Sequence, residues 1–527
     1  MSTARIHFAP VARRRRQTEI RDALNSFGMP VRARRASARV PGAASEVAAA
    51  LRALGPVFRT FGSYLASRVD LLHPADVPAF GDLRPAVPPL SRTVVERVVT
   101  QQTGAFLEEL FREFDDAPVE SCLVWQVHHA VLQDGTPVTV KVLRPESEER
   151  WRPDLEFLAL LEGAAANVGI GRDGLDGALE DFALRLQQQS DLAAEARWLD
   201  ALASDADSFD LLYGPEVCRR ASTARLLTVS RPTGVGLTGR NAPPRDESAR
   251  AVGIAWLRQA LLGTAFPAEI AVGNVTLADD GRVCFAAATY DRIPIRMQPV
   301  LLDYVMAECN HDVDRACSLL VTALREAGAC EPGERLPLCF RQAVPYRHGV
   351  TSGIAGRLRM HWRIASEDGC LPRGHMLSFY RGLGAVAAIA DEASPDRDLL
   401  AAAIQDVHVM AGVARFRNMF DPAQMSVGVA RYAALMVDGP RLLDEGLSTI
   451  HSGGGRIKLH VAENVGQTKK SDSTAVVLAL MLALPAVGMV LHQFALRSAP
   501  VRWMDRIDAA LVVLFGAWIL RSIRRMI

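Results

Sequence analysis

The stretch GTAFPAEIAVGNVTLADDGRVCFAAATY, Gly263 to Tyr290, places Glu269 shortly before a Gly-Asn pair, Gly273 and Asn274, and follows it with an ADDGR turn between two short apolar runs. This is the frame of a loop that handles phosphate, in which an acid and an asparagine are fixed beside a strand, turn and strand. Where further acids should hold metal and substrate, however, the sequence has Pro267, Ala271, Ala287, Ala288 and Thr289. The frame is present and most of its chemistry is missing.

A second constellation lies upstream. The run VTVKVL sets Lys141 between Val140 and Val142, and LQQQSDLAAEARWL places Asp191 and Glu195 one turn apart on a helical face. A strand lysine flanked by valines can be simply an exposed position on a half-buried sheet. Strand, turn and V-x-V-K strand is also the arrangement in which a kinase-like lysine sits beneath a phosphate-covering loop and pairs with a helical glutamate.

These side chains need elements to position them. Residues 46–72 have helical spacing of apolar residues, broken at Gly55-Pro56, and the Pro-rich LRPAVPPL marks a linker. Residues 91–113 read as helix. From Phe114 the period shifts, and FDDAPVESCLVWQVHHAVLQDGTPVTVKVLRP alternates around the QDGT turn as a strand, hairpin and strand. Residues 291–450 read as mainly helical and offer no further chemistry. His128 and His129 alternate across a strand with no third ligand nearby, and the glycines of HSGGGRIKLH read as a flexible turn.

With 60 basic and 59 acidic side chains in 527 residues, the overall balance argues against a nucleic-acid partner. Basic charge is concentrated at the start, in Arg13 to Arg16, Arg21, Arg32, Arg34, Arg35 and Arg39. No apolar core follows it, so this is not a secretory signal. It reads as a solvated, partly disordered arm over residues 1–45, able to touch anionic headgroups. The eight cysteines fall singly, with no CxxC pair and no clustered histidines, which reads as a reducing compartment and no structural metal. At the other end, AVVLALMLALPAVGMVL from Ala475 to Leu491, extended to Leu496, reaches the roughly 20 residues a spanning helix needs. AALVVLFGAWIL from Ala509 to Leu520 reads as the return limb of a hairpin. Lys469, Lys470, Arg521, Arg524 and Arg525 suit a cytoplasmic side, whereas Arg497, Arg502 and Arg506 in the connection argue the other way.

From Leu54 to Tyr290 the sequence resembles the UbiB family, the AarF-related atypical kinase-like proteins associated with ubiquinone biosynthesis. LGPVFRTFGSYLASRVDLLHP is similar to the family's N-terminal LGPxFxKxGQ and SxRxDLLP signature. FDDAPVESCLVWQVHHA is similar to its alanine-rich loop, and LLTVSRPTGVGL stands at its lobe connection. The stretch from Gly263 falls on its HADPHPGN loop and DFG strand.

The resemblance implies an α+β, two-lobed, protein-kinase-like fold. Its parts are an N-terminal helical extension at 46–113, a small lobe at 114–235, a large lobe with helical extension at 236–460, and membrane helices at 474–525. It implies nucleotide contact by Lys141 and Glu195, a metal site at Asn274, and a catalytic role at Glu269, which replaces an aspartate. It also marks Gly62, Arg68 and Asp70 in the N-terminal signature and Gln126 and Asp191 elsewhere. ATP and Mg2+ are the cofactors implied. The departures fall on the chemical positions: Ala287 on the DFG aspartate, Trp125 on a loop glycine, Thr60 and Ser63 on the signature's lysine and glutamine, and Gln189 on the glutamate of an ExD segment. Losing the main metal carboxylate removes an electrostatic contribution of several kcal/mol. The expectation is therefore a pseudokinase at the bacterial inner membrane with its main domain cytoplasmic. Its expected partners are the bilayer, a quinone precursor or other isoprenoid lipid, quinone-pathway proteins, and a second copy in a homodimer. An active but divergent ATPase or kinase, with Glu269 and Asn274 holding the metal, is the rival.

Overall fold

The structure, a computed structural model, describes residues 10–419 apart from 30–38, 41, 69, 82, 84–86, 146, 238–244, 271, 287–288, 371 and most of 329–352. The C-terminal apolar runs and the HSGGG segment lie outside the described residues. Among the described residues, no helix is long and apolar enough to cross a membrane.

The basic segment departs from the arm expected of it. Residues 10–26 form helix α1 (Pro10–Ser26), with Ile20 and Leu24 buried one turn apart. Arg16 forks onto Asp154 at 3.0 Å from each of two nitrogens and donates to the Leu54 carbonyl at 2.8 Å. The short apolar stripe docks the helix, and the density of arginines hid it in the sequence. Helices α2 (Ala43–Leu54) and α3 (Pro56–Ala66) follow, separated by Gly55, whose φ of 111° only glycine adopts readily, with Pro56 opening α3. α3 lies close against its neighbours at Gly62, where a Cβ would come within 2.9 Å of Leu51 and closer still to Leu83.

After α4 (Val77–Gly81), α5 (Arg92–Thr103) and α6 (Leu107–Leu110) comes an antiparallel sheet. Its strands are β1 (Phe111–Phe114), β2 (Glu120–Ser121), β3 (Trp125–Leu132), β4 (Pro137–Leu143) and β5 (Leu226–Ser230), in the order β1-β3-β4-β5 with β2 also on β3. The strand period begins at Phe111, earlier than the sequence pattern shows, and the helix read over 91–113 is two helices. Side chains alternate along β4. Val138, Val140 and Val142 pack with Val95, Val98 and Val99 of α5, while Leu143 belongs to the other core with Trp125 and Val127 of β3. Lys141, in register with Val127 and Leu227, takes that second face.

Helices α7 (Ser147–Leu158), α8 (Glu162–Asn167), α9 (Arg172–Gln189) and α10 (Leu192–Ala206) lie in the chain between β4 and β5. Beyond β6 (Gly234–Gly236), α11 (Arg245–Leu262) leads into β7 (Phe266–Pro267), β8 (Val275–Ala278), β9 (Val283–Phe285) and β10 (Tyr290–Asp291). β7 pairs with β10, and β8 lies between β6 and β9. The remaining described helices are α12 (Gln298–Cys309), α13 (Val313–Glu326), α14 (Ile354–Glu367), α15 (Gly374–Ala393) and α16 (Leu399–Met419). Trp256 of α11 stacks on Phe379 of α15 at 5.6 Å and fixes the core behind β7. Cys370 is disulfide-bonded, which the reading of a reducing compartment did not anticipate, because spacing along the chain says nothing about approach in space.

Candidate functional site

Lys141 and Glu195 form a buried ion pair, 8% and 7% exposed. The sheet supplies the lysine, and α10 supplies the glutamate one turn inside its start. Asp191 sets that start by accepting the Ala194 N–H at 2.8 Å, so the second member of the ExD-like segment acts here as a helix cap. Burial pushes the Glu195 carboxyl pKa up, against the opposing charge of Lys141. The indole of Trp125 lies over Lys141, with Nζ 4.7 Å from the ring centroid. Gln126, the next residue on β3, points to the opposite face. Its Oε1 accepts the Leu90 N–H at 2.6 Å, and its Nε2 lies 2.8 Å from His128 Nε2.

Glu269 follows β7 and enters the site with both carboxylate oxygens taken. Oε1 is bound by Arg185 of α9 and lies 3.5 Å from Arg381 of α15. Oε2 accepts from Gln189 and from the Thr289 hydroxyl, each at 3.3 Å. Asn274 donates to the Glu269 carbonyl at 3.4 Å, which ties the two loop residues through the backbone. Burial, and then the neighbouring Arg381, press the Arg185 pKa well down; burial also lowers that of Arg381. Two buried guanidinium groups side by side need counter-charge; Glu269 touches both, and Asp181 acts on both as a second carboxylate.

The N-terminal signature joins this cluster through Tyr64. Arg68 grips Asp70 at 2.9 and 2.8 Å and donates to the Tyr64 hydroxyl at 2.7 Å, and that hydroxyl donates to Asp181 of α9 at 2.7 Å. The guanidinium carbons of Arg185 and Arg381 stand 5.0 and 5.2 Å from the Tyr64 ring centre, and Arg381 also donates to the Ser67 hydroxyl at 2.9 Å. Burial raises the Tyr64 phenol to about 12. Gly62 lets α3 pack closely against Leu51 and Leu83. Sequence reasoning did not single out Arg185, Arg381 or Tyr64. The last two sit in segments where no charge pattern marks them, and Arg381 comes from the helical stretch in which no chemistry was expected.

The residues that the resemblance assigns to ATP and Mg2+ are engaged by other side chains in this arrangement. Lys141 is covered by an indole, and both oxygens of Glu269 are engaged by protein donors. The sequence has alanine at 287. Ala271 and Ala287 themselves lie outside the described residues.

The chain matches the ABC1 atypical kinase-like domain over residues 82–323. It is 32% identical over 191 residues to "Probable protein kinase UbiB" of Pseudomonas aeruginosa PAO1, covering 36% of each chain. The protein of the same name from Azotobacter vinelandii is 33% identical over 191 residues, again covering 36% of each. The alignment thus spans about a third of the length of these relatives. A Mycobacterium tuberculosis protein solved with erythromycin aligns at 20% identity over 59% of this chain and 85% of its own, with a TM-score of 0.38. Residues 82–323 thus carry an ABC1 atypical kinase-like domain, and the chain is similar over that part to the UbiB proteins of Pseudomonas and Azotobacter.

Proposed function

We propose that this chain is a membrane-anchored kinase-fold protein that has lost ordinary phosphoryl transfer and supports ubiquinone biosynthesis, or the handling of isoprenoid lipids, by binding or scaffolding. The observation that carries the loss of chemistry is the capture of Glu269. A carboxylate neutralised by two buried arginines and capped by Gln189 and Thr289 is neither a base with a free lone pair nor an open metal ligand. Ala287 removes the other carboxylate on which the metal would depend. The quinone connection rests on the name of the relatives, and the bilayer on the apolar runs after Ala475. The bacterial inner membrane rests on the bacterial relatives, and a cytoplasmic kinase-like part is supported by Lys469, Lys470 and the closing arginines, against Arg497, Arg502 and Arg506.

The rival reading, an active divergent ATPase or protein or lipid kinase, is favoured by the paired Lys141 and Glu195. Magnesium separates the two. Thermal melts with ATP analogue should show no stabilisation that depends on Mg2+, because no carboxylate pair is available to bridge metal and phosphate. A magnesium-dependent rise in melting temperature, removed by Asn274→Ala, would favour the active reading.

A further inference from the structure

The loop before β3 stands where the resemblance places a phosphate cover, and it is closed by its own residues. Trp125 opens β3 on the same face as Lys141, is 4% exposed, and sets its ring over the ammonium at 4.7 Å. Its indole N–H is buried without a partner, as is Glu195 Oε2. The side chain is therefore held by the bulk and face of its ring rather than by a hydrogen bond. The loop amides that would point at phosphate are also engaged. The Val124 and Trp125 N–H groups both lie 3.4 Å from Cys122 Sγ, and the Cys122 N–H donates to the Trp125 carbonyl at 3.0 Å. Burial raises the Cys122 thiol to about 11, so it stays an uncharged acceptor. A phosphate-covering loop needs close backbone approach and free N–H donors, and a ring over the lysine denies both.

We propose that Trp125 is a built-in plug, an intramolecular occupant of the phosphate position over Lys141 that closes this site to nucleoside polyphosphates. The contact adds a π-face to the lysine, already paired with Glu195, on the side where a phosphate would approach. Binding is distinct from turnover, because a site can hold nucleotide without hydrolysing it; the plug and the loss of chemistry therefore fail separately.

The test is titration of the full-length protein and two variants with a fluorescent N-methylanthraniloyl ADP, with magnesium and with EDTA. The wild type should show no saturable binding below about 1 mM, and Trp125→Phe should stay closed. Trp125→Ala should bind saturably, about tenfold or more tighter than any wild-type signal. Equal affinity in wild type and Trp125→Ala, or a folded Trp125→Ala that binds nothing, would overturn the plug. Should Trp125→Ala fail to fold, an ATP acyl-phosphate probe on the wild type decides. Lys141 is expected to remain unlabelled, and labelling there that excess ATP suppresses would refute the proposal.

Discussion

At the scale of single residues, Glu269 is held as a counter-ion. Arg185 is buried, and its guanidinium is in contact with the Glu269 carboxylate, with Asp181 as a second nearby anion. Removing one partner of a buried pair costs about 3–5 kcal/mol, because the other charge is stranded. Glu269→Gln keeps the shape and removes the charge, so it should lower stability in urea by about 2–4 kcal/mol at neutral pH, somewhat below that range because the carboxylate is 31% exposed. A variant as stable as the wild type would mean that the arginines do not rely on it. Lys141 and Glu195 were legible in the sequence, because a strand period and a helix period each mark one inward face. Arg185, Arg381 and Tyr64 were not, since their meeting depends on how α3, α9 and α15 pack, and no local period records that.

At the scale of elements, a buried polar group joins α12 to α14. His361 of α14 places Nδ1 3.0 Å from the Tyr304 hydroxyl and Nε2 3.4 Å from Glu308. Arg357 already neutralises that glutamate at 3.3 Å, so burial dominates and lowers the His361 pKa to about 3. The unfolded value is about 6.5, so between these limits the unfolded chain takes up a proton that the folded chain refuses. This group's contribution to stability is thus intact above about pH 6.5 and falls as pH drops, by about 2 kcal/mol at pH 5. Urea midpoints at pH 7 and pH 5 should converge in His361→Gln relative to wild type. An equal pH dependence in the two proteins would place the histidine elsewhere in its titration. Elements were more legible than their ends: the QDGT hairpin falls between β3 and β4, yet β1 starts at Phe111 because its apolar residues also suit the preceding helix. The docking of α1 rests on two buried apolar side chains beneath a run of arginines, too short a stripe to outweigh the charge in a reading by composition.

At the scale of the whole molecule, a kinase-like domain is joined to a C-terminal stretch whose apolar runs suit a bilayer. The run from Ala475 to Leu491 is uncharged and, with its flanks, long enough for a hydrocarbon core of about 30 Å. Full-length protein should stay in the membrane pellet through high salt and carbonate, while a chain ending at Ser471 should be released; carbonate extraction of the full-length chain would rule out the hairpin. The kinase-like class, with mixed helix and sheet, was legible because several segments similar to one family occur in its order. The state of the site was not, because substitution at a position shows only what is missing, and the indole and arginines that fill the gap appear only in three dimensions.

The central claim, a retained kinase-like domain without phosphoryl transfer, is tested most directly by release of phosphate from ATP by the purified protein in magnesium. The capture of Glu269 and the alanine at 287 predict no turnover above a buffer blank and no difference between wild type and Glu269→Gln. Sustained phosphate release by the wild type that Glu269→Gln abolishes would contradict it.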